Sequence, residues 1–279
     1  MSALRLGLRR FFFALAPVAP AIRLRRLLAL WTAAYVAVRL PHVEELYCRA
    51  VLNDAMLYRV VDASPPAPAL VLALVGLLAL ALVSACGRRG AGAASFAVAC
   101  LFGLLVALEA TTPRAYAALA LIQWLLLGFA PGPPRRDARG APRVAPRWAT
   151  RLLALQFASV YAFAGLAKLC SPTWRSGAAV LYATRSPDYG GHLLSASVPL
   201  DEASARVIAW LTIVVELGVA IGLWRPRTRR WAMAAVVALH LGIALSLRIS
   251  LLFHALMLAH LVLFTATSAA PRREEAAGA

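Results

Sequence analysis

The sequence has very little lysine and few acidic residues. Of its 29 basic residues, 28 are arginine and one, Lys168, is lysine, against 12 aspartates and glutamates. Charged residues occupy only 15% of the 279 positions, whereas soluble domains average about 25%. Disordered chains combine low hydrophobicity with high charge, but this chain is 62% apolar. The composition therefore excludes both a disordered protein and a soluble enzyme.

Cysteine is scarce as well, and its spacing carries no motif. The four cysteines are Cys48, Cys86, Cys100 and Cys170, and none belongs to a C-x-x-C pair. This pattern excludes a small disulfide-stapled secreted domain and gives no metal or redox motif. The sequence leaves open whether Cys48 and Cys170, both predicted near the outer face, form a disulfide.

Long apolar segments dominate the chain. A bilayer-spanning helix needs about 20 mostly apolar residues, and eight candidate spans cover residues 27–40, 67–86, 93–110, 115–131, 149–169, 207–224, 231–247 and 249–267. The first span is short and can extend back past Arg25 and Arg26. The last two form a tight hairpin around Arg248, which leaves a re-entrant arrangement open. The sequence thus predicts an all-α, polytopic transmembrane bundle of about eight spans.

Basic residues lie between these segments, where they orient a membrane protein. If the N-terminus is cytoplasmic, 20 arginines fall inside and eight fall outside, so we expect both termini to be cytoplasmic. A net charge of +17 in a soluble protein would suggest nucleic acid, but the placement of these charges gives no reason to expect that partner. The expected partner is the lipid bilayer, and the expected location is the cell membrane.

The chain divides into three predicted regions. Residues 1–26 form a basic cytoplasmic or interfacial segment, residues 27–268 the transmembrane domain, and residues 269–279 a short cytoplasmic tail. At the N-terminus, an interfacial helix is favoured over a signal peptide because arginines directly follow the apolar part and lead into a span. Two longer outside segments, 42–68 and 171–205, could cover the outer end of the bundle as a lid.

Ionisable side chains inside spans are costly and usually face a cavity or a partner. The candidates are Lys168, Glu216, His240, His254 and His260, with Glu109 near an outer end. His254 and His260 are six residues apart and lie on different helix faces, so we expect no metal site.

Lys168 lies about one turn from the outer end of its span, where a lysine side chain can extend to the headgroups. Against that interpretation, Tyr161, Gly165 and Lys168 share one helix face at i, i+4 and i+7. Because that face is small and polar, it favours the interior of the bundle over lipid.

Glu216 lies about 15 Å into its span at 1.5 Å per residue, so its carboxylate must be protonated or paired. An amine in a low-dielectric site loses its preference for the charged form and can act as a base near neutral pH. This makes Lys168 the residue best suited to chemistry. A nearby Glu216 would instead keep the proton on the amine, and the sequence does not supply the distance between them.

The fifth span carries the pattern Q-x4-Y-x3-G-x2-K-L, followed by a tryptophan. Its members are Gln156, Tyr161, Gly165 and Lys168, with Trp174 after the span. This segment resembles the signature of the horizontally transferred transmembrane (HTTM) family, whose domain is related to the membrane domain of vitamin K-dependent gamma-carboxylase. The likeness extends from about residue 147 to residue 264.

The resemblance also reaches Glu216 and His240, where the family has an acid and a histidine. It implies a helical bundle with an active site near the extracytoplasmic end. In the carboxylase, the lysine matching Lys168 is the base linked to oxygenation of vitamin K hydroquinone, and the histidine matching His240 is needed. The Asn-His pair of the carboxylase has no counterpart in residues 109–116, and its large lumenal portion is not expected here. We therefore do not expect carboxylation of a docked protein.

Two functions remain in competition. The first is an enzyme acting on a lipid-soluble, quinol-like substrate, which predicts an amphipathic cavity around Lys168. Its catalytic residues would be Lys168, His240 and Glu216, and its substrate-binding residues Tyr161, Gln156 and Trp174. A vitamin K-type quinol is implied by resemblance only.

The alternative is a non-catalytic membrane partner or assembly protein in which Lys168 and Glu216 are structural. It predicts a filled bundle without a cavity, in which Lys168 extends to the headgroups or forms a salt bridge, and the sequence identifies no protein partner. A transporter would require inverted repeats or broken helices, and the sequence shows neither.

Overall fold

Helices make up nearly all of the chain that the computed structural model describes, which comprises residues 3–48, 66–86, 90–109, 115–130, 144–190 and 192–265. The predicted tail 269–279 lies outside the described residues. So do residues 131–143, between the fourth and fifth predicted spans, and most of the outside segment 42–68.

The described residues of the first half of the chain form five α-helices and one short strand. In order these are α1 (Ala3–Phe13), β1 (Leu15–Pro17), α2 (Ala19–Arg39), a 3-10 turn (Leu40–His42), a π-turn (Glu44–Cys48), α3 (Ala67–Cys86), α4 (Ala91–Leu108) and α5 (Ala115–Phe129).

The second half contains one strand, three short helices and four longer ones. In order these are β2 (Val144–Pro146), α6 (Trp148–Cys170), α7 (Pro172–Ser176), α8 (Ala178–Arg185), α9 (Leu193–Ser197), α10 (Glu202–Gly222), α11 (Arg229–Ser246), α12 (Leu251–Ala259) and a 3-10 turn (His260–Leu263).

The prediction of an all-α membrane bundle is confirmed. Four helices of the described chain, α3, α4, α6 and α10, are long and apolar enough to cross a bilayer. Each of the other four predicted spans also contains a helix, namely α2, α5, α11 and α12. The apolar stretch Leu251–Leu263 is only about 20 Å long, against a hydrocarbon core of about 30 Å. The predicted count of eight spans is therefore not established by helix length.

Helix α2 begins at Ala19, so the first predicted span does extend back past Arg25. The Arg25 side chain is fully buried. Its Nη2 donates hydrogen bonds to the carbonyl oxygens of Leu127 at 2.6 Å and Ala130 at 3.1 Å. These carbonyls lie at the end of α5, where the last helical oxygens have no partner within the helix. Arg25 therefore caps α5 with its charge.

Three apolar clusters form the core of the described residues. The largest joins α2, α3, α4 and α5 with the start of α6 and part of α12, the second joins α6, α10, α11 and α12, and a small third joins α8 to α10. Helix α12 connects the two larger clusters because it also packs against α2 and α5. At this junction the Trp31 indole Nε1 donates a hydrogen bond to the Leu252 carbonyl at 2.7 Å.

The N-terminal elements fix the start of α6, the helix that carries the lysine. Strands β1 and β2 pair antiparallel, with Ala16 opposite Ala145. The Arg147 side chain donates hydrogen bonds to the carbonyl oxygens of Phe11 and Arg10. Helix α1 is thereby held against the first turn of α6.

Candidate functional site

Helices α6 and α10 approach closely because of Gly165. A Cβ at this position would lie 2.9 Å from the Leu217 side chain, closer than two carbon atoms can approach without a shift. One turn further along α6, Lys168 Nζ lies 2.8 Å from both carboxylate oxygens of Glu216. The close packing at Gly165 thus places the amine and the carboxylate in contact.

This geometry settles how Lys168 and Glu216 are oriented. The predicted bundle-facing position of Lys168 is confirmed, since its side chain reaches the neighbouring helix and is 18% exposed. Glu216 is 8% exposed and is paired, as its depth required. Charges removed from water are stabilised when they are paired and hydrogen-bonded. The pair is thus electrically neutral as a unit.

An indole ring covers the ammonium from the other side. Lys168 Nζ lies 5.0 Å from the centre of the Trp174 ring, within the range of a cation–π contact. Trp174 lies on α7, whose first turn is capped by the Ser171 side chain. Gly177 ends α7 with a φ of 88°. A Cβ there would lie 2.5 Å from the Arg206 backbone nitrogen, so only glycine lets α7 pack this closely against α10.

The ion pair lines a partly open cavity of about 660 Å³ between α8, α10 and α11. The walls are mostly aliphatic side chains. Besides Lys168, Glu216 and Trp174, the polar members of the lining are Thr184, Thr212 and Ser246. Sequence reasoning missed these three. The spacing of Thr212 and Glu216 at i, i+4 on α10 was the one available signal.

A side-chain hydrogen bond caps the N-terminus of α10. Asp201 Oδ1 accepts a hydrogen bond from the Ser204 backbone nitrogen at 2.7 Å. Hydrogen bonds from the Ser204 side chain and backbone hold the pKa of Asp201 below its usual value. The ionised carboxylate also complements the positive end of the helix dipole. This cap explains why α10 begins at Glu202, five residues before the predicted span.

A second polar group lies deeper in the same bundle. Tyr161 Oη is 2.8 Å from His240 Nε2, and His240 Nδ1 is 3.0 Å from His254 Nδ1. All three side chains are buried. None of the three lines the cavity. The structure therefore joins Tyr161 to His240 and His240 to His254.

The contact between His240 and His254 could have been predicted from the sequence. Residues 240 and 254 lie at equal distances from residue 247, where α11 gives way to the turn before α12. In a tight hairpin of helices, positions equidistant from the turn lie at the same depth and can face one another.

Gln156 does not join either group. Its Nε2 donates to the Leu119 carbonyl at 3.4 Å, and it precedes Lys168 by 12 residues, or about 18 Å along the axis. His260 is also separate, because its Nδ1 bonds to the Leu256 carbonyl at 2.8 Å. Within the described ranges, no three His, Cys, Asp or Glu side chains are grouped to hold a metal. Cys170 has a free, exposed thiol, while the Cys48 side chain lies outside the described part.

Comparison with known families places the site in a recognised sequence region. A family model described as the HTTM domain matches residues 135–268. No curated protein and no solved structure matches the chain. The matched range contains helices α6 to α12, and with them the ion pair, the cavity and both linked histidines.

Proposed function

We propose that this chain is an enzyme acting on a lipid-soluble substrate, with Lys168 as the base. The match of residues 135–268 to the HTTM domain model, a domain related to the gamma-carboxylase family, supports this proposal. The observation that carries the proposal is the position of the Lys168–Glu216 pair in the wall of a mostly apolar cavity. A purely structural ion pair needs no cavity beside it.

A salt bridge keeps the proton on Lys168, whereas a base must first lose it. Proton transfer within the pair reconciles these two requirements. Nζ lies 2.8 Å from both oxygens of Glu216, so a proton can pass from the ammonium to the carboxylate. That transfer converts two charges into a neutral amine and a neutral acid, which a low-dielectric site favours. Nζ then takes the proton of a substrate hydroxyl, and Glu216 holds the first proton until release.

The cavity fits a ligand with one small polar head and a long apolar body. Apolar pockets with a few convergent polar groups are typical of small-molecule sites. The ion pair has no net charge, so a neutral head such as a phenol or quinol hydroxyl is preferred over a charged one. A lipid-soluble quinol of the vitamin K type meets both requirements, with Trp174 packing against its head. The roles of Tyr161, Gln156 and His240 in this reaction remain part of the proposal.

We also propose the finer topology that the arginine distribution favours. Eight spans place both termini in the cytoplasm of a cell-membrane protein, with residues 1–26 as a basic interfacial segment and 269–279 as a tail. The cavity then faces the extracytoplasmic side. Segment 171–205, which carries α7, α8 and α9, supplies part of its wall and covers this end of the bundle.

One observation favours the competing function, a non-catalytic membrane partner or assembly protein. The ammonium contacts both carboxylate oxygens, an arrangement that also suits two helices held together by a fixed salt bridge. Under this alternative the positive charge of residue 168 stabilises the helix contact, and the ability of residue 168 to release a proton has no role.

Replacing Lys168 by arginine separates the two functions. Arginine keeps a positive charge beside Glu216 but does not release its proton in proteins. The full-length protein in lipid nanodiscs is supplied with oxygen and a long-chain 1,4-naphthoquinol, and quinol consumption and quinol binding are measured. We expect Lys168→Arg to bind the probe and to lose about 100-fold or more of the rate, as general-base removal does.

The matched control is Arg175→Gln, which removes an exposed cation on α7 that does not line the cavity. It should keep the wild-type rate. If Lys168→Arg consumed the quinol at the wild-type rate, Lys168 would not be the base. Wild-type protein that binds the quinol without consuming it would support the non-catalytic alternative, and absence of binding would exclude this substrate class.

A further inference from the structure

Three buried side chains on three helices form one continuous hydrogen-bonded chain. Tyr161 on α6 contacts His240 on α11, and His240 contacts His254 on α12. Their exposures are 3%, 3% and 5%. The far nitrogen of His254, Nε2, is buried and has no hydrogen-bond partner among the described residues.

The contact between the two Nδ1 atoms restricts where protons lie. A neutral imidazole carries hydrogen on one nitrogen and a lone pair on the other. At 3.0 Å, one Nδ1 must donate and the other must accept. Neutral His240 and His254 therefore always have opposite tautomers.

Only two neutral arrangements satisfy this restriction. In the first, Tyr161 Oη donates to His240 Nε2, His240 Nδ1 donates to His254 Nδ1, and the hydrogen of His254 is on Nε2. In the second, His254 Nδ1 donates to His240 Nδ1, His240 Nε2 donates to Tyr161 Oη, and His254 Nε2 is bare.

The two arrangements are related by the passage of one proton. A proton arrives at Tyr161 Oη, the original Tyr161 proton moves to His240 Nε2, and the His240 Nδ1 proton moves to His254 Nδ1. The proton of His254 Nε2 then leaves to a water molecule. One proton enters and one leaves, and no group on the path has to remain charged.

We propose that Tyr161, His240 and His254 form a proton wire with His254 as its inner end. Resting on the function proposed above, the wire exchanges protons with the Lys168–Glu216 site. Tyr161 lies on the same face of α6 as Lys168, two turns or about 10 Å away. His254 Nε2 has no hydrogen-bond partner among the described residues, so the proton leaves the wire there only when a water molecule reaches this nitrogen.

The first arrangement is the resting one. A phenol is a stronger hydrogen-bond donor than acceptor, so Tyr161 favours donating to His240 Nε2. The resting protein then has hydrogen on His240 Nδ1 and on His254 Nε2. Removing the phenol removes this preference and shifts the population toward the second arrangement.

Nitrogen NMR of the full-length protein in nanodiscs, with 15N-labelled histidine, tests the wire. The chain has five histidines, so each signal is assigned from a His→Gln variant. We expect opposite tautomers at His240 and His254 in the wild type. In Tyr161→Phe we expect the His254 signals to shift toward the Nδ1-protonated tautomer, although that residue lies two hydrogen bonds from the substitution.

His260→Gln is the matched control, because His260 lies on the same helical segment, is 1% exposed and bonds to the Leu256 carbonyl. It should leave the tautomers of His240 and His254 unchanged. Identical tautomers in the wild type, or unchanged His254 signals in Tyr161→Phe, would overturn the wire. Since no substrate is present, either result is independent of whether Lys168 is a base.

Discussion

In the part of the chain that the structure describes, each half of the bundle contains one buried ion pair, and the two pairs differ in what surrounds them. In the N-terminal half, Arg39 Nη2 lies 3.0 Å and 3.2 Å from the two carboxylate oxygens of Glu109. Arg39 also stacks 3.6 Å above the Tyr35 ring. The two charged side chains are 6% and 5% exposed. In the C-terminal half, Lys168 and Glu216 are equally close but line a cavity.

The difference shows which pair can do chemistry. A guanidinium keeps its proton under all physiological conditions, so Arg39 can bind and orient but cannot act as a base. An amine can lose its proton, and Lys168 has space beside it for a second molecule. Burial alone does not mark a functional pair, because among the described residues the cavity borders the less deeply buried pair.

Glu109→Gln should have the largest effect on stability. It leaves the Arg39 guanidinium, whose side chain is only 6% exposed, without its carboxylate, and breaking a buried pair in this way costs about 3–5 kcal/mol. We expect a large fall in the melting temperature of the full-length protein in nanodiscs. A fall no larger than that of the Glu216 variant below would contradict the contrast between the two pairs.

Glu216→Gln should cost less, about 1.5–3 kcal/mol, the range for a hydrogen bond to a charged group. Lys168 is 18% exposed and lines a partly open cavity, so its freed ammonium can be hydrated. The melting temperature should fall moderately, while quinol consumption is lost because no carboxylate remains to accept the lysine proton. Unchanged quinol consumption in this variant would show that the pair takes no part in the reaction.

Gly165→Ala tests the packing that creates the second pair. The added methyl would lie 2.9 Å from the Leu217 side chain and push α6 from α10, at a cost of about 1–3 kcal/mol. The measurement is again the melting temperature. Gly218→Ala is the control, since a Cβ there meets nothing within 4 Å, and it should be neutral or slightly stabilising. Equal effects at both glycines would contradict the role of close packing.

The helices could be predicted because the bilayer interior offers backbone polar groups no hydrogen-bond partners. Inside a bilayer each backbone polar group must be paired within its own segment, so long apolar runs become helices. Their ends were harder to place. Helix α2 begins before Arg25 because the side chain caps α5, and α10 begins at Glu202 because Asp201 caps it. Such ends depend on local hydrogen bonds that hydropathy does not record.

The sequence predicted the main polar residues of the candidate site, but it did not predict which residues form the cavity wall around them. Depth in the span implied a partner for Glu216, and a shared helix face placed Lys168 in the bundle. The cavity wall depends on how α8 packs beside α10 and α11, and no periodicity encodes that. The catalytic assignments of Lys168, Glu216 and His240 stay predictions.

The antiparallel pairing of β1 (Leu15–Pro17) with β2 (Val144–Pro146) affects whether the C-terminal half can be produced as a separate fragment. A fragment excised at the family boundary, residue 135, would retain one strand with an unpaired edge, which invites association with other chains. It would also strip the Trp31 indole from the Leu252 carbonyl. We therefore expect that a stable minimal version of the C-terminal half must also include α1 and α2.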